Sequence, residues 1–120
     1  MTFSFQLNNP NILKIKVMEA YSAATKAHES IFNDRLDKVI SIGYLNLASS
    51  YNNSAYAVYI SQYERLGCDE LDGLFFELNT FVEEGMQCYR TNHSHQWTDI
   101  HFQRLTQKYE AIKTVLGIVS

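Results

Sequence analysis

Apolar side chains recur along most of this chain at intervals of three and four residues, the spacing that lines one face of an α-helix. The pattern begins after Asn8-Asn9-Pro10. Asparagine caps helices well, and proline suits the first turn, where its missing N–H would have no acceptor anyway. From there Leu13, Val17, Ala20, Ala24, Ala27 and Ile31 predict a first helix with one apolar stripe. Asn33-Asp34 interrupts it and offers a cap for the next. Leu36, Val39, Ile40, Gly43, Tyr44 and Leu47 predict a second helix. A glycine inside a helix costs about 1 kcal/mol relative to alanine, so Gly43 suggests a close approach of a neighbouring helix. The polar run Ser49-Ser50-Tyr51-Asn52-Asn53-Ser54 reads as a turn or kink, and a short third helix is expected from about Ala55 to Leu66, ended by Gly67.

Asp69 followed by Asp72 resembles a capping box. The helix after it carries Leu71, Leu74, Phe75, Leu78, Val82, Met86 and Tyr89. Beyond the polar segment 91–97, Thr98 is expected to cap a last helix bearing Phe102, Leu105, Tyr109, Ile112, Leu116 and Val119. No strand-like alternation persists past the first seven residues, and there is no repeat or linker. The expected fold is all-α: a single domain, a compact bundle of four or five helices, with 1–9 as an irregular N-terminal arm.

Composition narrows the functional classes. At 120 residues and 46% hydrophobic, the chain can bury a proper core. A net charge of −3 does not favour nucleic acid through bulk charge. Cys68 and Cys88 permit one disulfide without demanding it, and they lack C-x-x-C or zinc-binding spacing, so both read as ordinary small side chains. Met1–Leu7 has no basic leader or long apolar run, and no segment approaches the roughly 18 apolar residues that span a bilayer. A cytoplasmic protein with no membrane partner and no cofactor is expected.

Polar chemistry concentrates in Arg90-Thr-Asn-His-Ser-His-Gln-Trp97, which holds two of the four histidines and the only tryptophan. His101 follows in the next helix. His93, His95 and His101 would converge on a metal only if the loop folded back, and His101 has no i, i+4 partner, so no metal site is expected. His28 reads as a surface or boundary residue. Arg90 and His95, with four residues between them at the junction of the last two helices, resemble the arginine–histidine motif of HEPN-type ribonucleases. Those are helical bundles of similar length. The resemblance implies a metal-independent ribonuclease, or an inactive relative, in which Arg90 holds an RNA phosphate and His95 shuttles a proton, usually across a dimer. Read from residue chemistry alone, the same segment is a capping loop. Asn92, Ser94 and Thr98 are cap and turn residues, and Trp97 would plug the loop into the core.

Charge is polarised. Seven of the thirteen acidic residues, Glu64, Asp69, Glu70, Asp72, Glu77, Glu83 and Glu84, fall between positions 64 and 84, where Arg65 is the only base. Asp69, Glu70 and Asp72 suit the start of a helix, where the macrodipole favours negative charge; Glu83 and Glu84, near its end, do not. Beside them Tyr56, Tyr59 and Tyr63 recur at i, i+3 and i+7 on one helical face. Tyrosine offers large contact area at low entropic cost. The expected function is therefore non-enzymatic: an inhibitor, immunity or antitoxin-type protein. It would cover a basic partner protein with Tyr56, Tyr59, Tyr63, Glu70, Asp72, Glu77, Glu83 and Glu84. A structural or adaptor subunit is the third class, and a homodimer is compatible with a bundle of this size.

Overall fold

The computed structural model describes residues 10–33 and 38–118. Five helices follow in order: α1 Pro10–Ile31, α2 Lys38–Ser61, the single turn α3 Tyr63–Leu66, α4 Asp69–Thr91 and α5 Gln96–Leu116. No strand occurs among the described residues. The four long helices close a ring, with α1 on α2, α2 on α4, α4 on α5 and α5 back on α1. Pairings along the seams fix their directions. Asn52 reaches Phe75 while Leu45 lies against Gly85, so α2 and α4 are antiparallel. Tyr21 hydrogen-bonds Thr106 while His28 hydrogen-bonds Asp99, so α1 and α5 are antiparallel too. With Glu77 on His101 and Gly85 beside Thr98 across α4–α5, the topology is an up-down-up-down bundle.

Three helices bury the stripes their sequences announce. Leu13, Val17, Ala20, Ala24 and Ala27 of α1, Leu71, Leu74 and Leu78 of α4, and Leu105 and Ile112 of α5 are fully buried. The alanine stripe of α1 keeps that helix thin on its inner side. Beside it Phe81 of α4 and Phe102 of α5 pack ring to ring, both near the His28 ring of α1. No helix among the described residues is long and apolar enough to cross a membrane.

Helix α2 departs from expectation. Its buried face is Ser41, Leu45, Ala48, Asn52, Ala55, Val58 and Tyr59. The apolar stripe at Val39, Ile40 and Leu47 points outward, with Val39 72% exposed. Gly43 is exposed, and an added Cβ there would meet nothing within 4 Å. The close approach belongs to Gly85 instead, where a Cβ would sit 3.1 Å from Leu45 Cδ1. No turn interrupts 49–54, because α2 runs unbroken through it. Leu36, the Asp34 cap, the 1–9 arm and Val119 lie outside the described residues.

The helix ends also differ. Gly67 follows α3 in extended conformation rather than as a left-handed cap, and its N–H bonds Tyr63 O. Cys68, not Asp69, precedes α4, without a side-chain cap. Asn92 takes the left-handed position that ends α4, with φ 56°. α5 starts after His95, so Thr98 lies inside it, fully buried, and its hydroxyl meets His95 Nδ1 at 3.0 Å. Trp97 does not plug the core; it is 55% exposed.

Candidate protein-binding face

The seam between α2 and α4 forms the outer face of the acidic half. Asn52, Asn53 and Tyr56 from α2 and Asp72, Phe75, Phe76 and Asn79 from α4 line a groove of about 430 Å³. Further along the same seam, Asn46 and Ser49 face Thr80, Glu83 and Arg90 across a second hollow. Two aromatic rings stand over the first groove, Phe76 at 66% exposed and Tyr56 at 48%. Phe76 was not among the expected contact residues. Its signal lay in the Phe75-Phe76 doublet, since neighbours on a helix sit about 100° apart and only Phe75 can point to the core.

The expected tyrosine face splits. Tyr56 and Tyr63 are exposed, whereas Tyr59 between them is fully buried and unavailable to a partner. Its hydroxyl lies 2.7 Å from Asp72 Oδ1 and 3.2 Å from Cys68 O, and accepts from Cys68 N–H at 3.1 Å. Burial, then the hydrogen bond with Asp72, pushes its ionisation well above the ordinary tyrosine range. Tyr63 donates to Asp72 Oδ2 at 3.3 Å. Asp72 is thus not a helix cap; it ties the end of α2 and the α3 turn to α4.

The acids divide by their spacing. Glu70, Glu77 and Glu84, seven apart, fall on the α5 side of α4. Glu77 is buried there, bonded to His101 Nδ1 at 3.1 Å, and so is no partner contact. Glu84 is half-buried beside the Cys88 thiol. Glu70 is exposed. Asp72 and Glu83 lie on the α2 side, where Glu83 is exposed and accepts from Asn79. Of the expected contacts, Tyr56, Tyr63, Asp72 and Glu83 are exposed toward α2, with Phe76 added, while Glu70 is exposed on the other side of α4.

The Arg90–Trp97 corner is held from several directions. Arg90 is exposed and donates to Gln87 at 2.7 Å. His95 lies between the Tyr89 and Phe32 rings, with centroids 4.5 and 6.3 Å away. The hollow lined by Arg90 does not include His95, and none of the described contacts joins the two side chains. Cys88 donates to Ser94 O at 3.2 Å, and burial raises its thiol ionisation, so it anchors the loop in its less reactive form. Cys68 is also a free thiol. His28 is a boundary residue, as expected, and a tied one: it stacks on Phe102 at 4.1 Å and donates to Asp99, which holds that carboxyl below its usual range. Among the described residues no cluster of three or more His, Cys, Asp or Glu side chains could hold a metal ion.

His95 supplies a pH dependence. Burial lowers its ionisation below the ordinary histidine value of 6.5, with Glu84 opposing weakly. The unfolded chain therefore binds this proton first as pH falls, and stability declines below about pH 6.5. Denaturation midpoints at pH 7 and pH 5.5 should show a loss that shrinks in His95→Asn. A dependence unchanged in that variant would place the effect elsewhere.

No protein-family model, curated protein or solved structure matches the chain, so the functional reading rests on the geometry of this face.

Proposed function

We propose that this protein works by binding another protein with a basic surface, as an inhibitor, immunity or antitoxin-type module, and that the α2–α4 face is its contact. The observation that carries the reading is the pair of exposed rings, Tyr56 and Phe76, over one groove flanked by Asp72 and Glu83. Exposed aromatics rimmed by like charge suit an interface that is steered by electrostatics and anchored by a few rings. Arg90 and His95, held by separate partners, lend the ribonuclease reading no comparable support.

Affinity capture with the immobilised protein tests this. A basic partner should be retained at low salt, released as salt rises, and retained severalfold less by Glu83→Lys. Retention insensitive to both salt and charge reversal removes the reading.

A second reading, a subunit of a larger assembly, is favoured by the outward stripe of α2. Leu47 and Tyr51 join Ile15 and Met18 of α1 around a largely apolar hollow. A solution mass above that of one chain would support it.

A further inference from the structure

Asn52, which lines the α2–α4 groove, carries a buried acceptor that the protein does not satisfy. Asn52 is 5% exposed; its amide nitrogen donates to Phe75 O at 3.5 Å, and its Oδ1 is buried with no hydrogen-bond partner. Buried amide oxygens are nearly always paired, and leaving one unpaired is unfavourable. Around it the groove offers the amides of Asn53 and Asn79, the Asp72 carboxylate and the Tyr56 and Phe76 rings. Each Asp72 oxygen already accepts one tyrosine hydroxyl. A carboxylate has about four acceptor positions, so capacity and charge both remain.

No basic side chain lines this groove. Lys108 packs its aliphatic chain against Gly73, on the α5 side of α4. The lining is thus rich in acceptors, singly negative and walled by aromatics, and about 430 Å³ holds one long side chain rather than a folded segment. A guanidinium matches all of these. It carries five N–H donors in a plane, keeps its charge, and stacks on aromatic faces. A lysine ammonium supplies the charge but neither the plane nor the stacking surface.

We propose that the groove is an arginine pocket: a partner's guanidinium stacks against Tyr56 and Phe76, pairs with Asp72 and turns the Asn52 amide enough to give its buried Oδ1 the donor it lacks. The proposal rests on the partner-binding reading only for the source of the arginine, a basic protein.

The test is a titration of the isotope-labelled full chain with acetyl-Gly-Arg-Gly-amide, followed by the side-chain amide resonances of Asn52, Asn53 and Asn79. The lysine and citrulline versions of the peptide serve as comparisons. Saturable shifts at those amides are expected with arginine, severalfold weaker binding with lysine, and none with citrulline, which keeps the shape and loses the charge. Asp72→Asn, which retains an acceptor for Tyr59, should weaken the arginine response at least fivefold with its melting temperature near wild type. Tyr56→Ala, at a half-exposed ring, provides the same readout if Asp72→Asn does not fold. Equal shifts with citrulline, no groove shifts at the solubility limit of the arginine peptide, or an undiminished response in the variants overturns the proposal. The two readings fail separately. Charge-sensitive capture without an arginine response leaves a partner that uses the face without this pocket. An arginine response without capture leaves the pocket and removes the protein partner.

Discussion

Replacing Phe81 by alanine should cost about 3–5 kcal/mol, the range for removing a large buried side chain that leaves a cavity behind. Phe81 is fully buried, packed against the Phe102 ring at 5.5 Å and near the His28 ring at 6.5 Å. His28 is tied to Asp99 and stacked on Phe102, so it is not free to swing in and fill the space. A domain holds about 5–15 kcal/mol in total, so the loss would take a large part of it. The melting temperature should fall by roughly 10–20 °C for a chain of this size. Phe76→Ala, five positions earlier and on the exposed face, should stay within about 0.5 kcal/mol. Thermal unfolding of the two variants side by side is the check. Similar shifts for both would mean the inward and outward assignments of these phenylalanines are wrong.

Tyr59→Phe removes a single oxygen and should cost about 1–3 kcal/mol, because it leaves buried polar groups unpaired rather than opening a cavity. That oxygen serves Asp72, the Cys68 carbonyl and the Cys68 N–H together. Its loss strips α4 of a tie at its first turn, where no side-chain cap compensates. Urea unfolding at neutral pH should show the lower stability, and hydrogen exchange should show earlier opening at the Cys68 amide. There is also a pH signature. The buried phenol ionises well above its ordinary value of 10, so above that pH the unfolded chain loses the proton first and stability falls. The phenylalanine variant should lose this part of the alkaline decline. Stability equal to wild type would show that Tyr59 is not the junction of α2, α3 and α4.

Much of the bundle was legible because α1, α4 and α5 each bury one continuous apolar stripe. α2 was not, for a physical reason. It is flanked by α1 and α4, and its inward positions include Ser41 and Asn52, polar residues that hydropathy does not mark as core. Its strongest apolar stripe, through Ile40 and Leu47, is therefore the one left outside. The same limit applied to the candidate face. Tyr56, Tyr63 and Glu83 are exposed where expected, but Tyr59 and Glu77 were drawn inward by partners far along the chain, Cys68 and Asp72 for one and His101 for the other. Asn52, taken for part of a turn, is a buried residue that lines the groove.

By itself the sequence determined the helical class, the bounds of the aliphatic stripes on three helices, and the concentration of negative charge between 64 and 84. Those are properties of composition and period, carried by residues near one another in the chain. Only the tertiary structure decided which side of α2 faces inward, which acids remain free, and that Arg90 and His95 serve different surroundings at the α4–α5 corner. Each of these depends on what lies opposite a side chain across a helix seam. A helical period says that a helix has two faces; it does not say which of them a neighbour will cover.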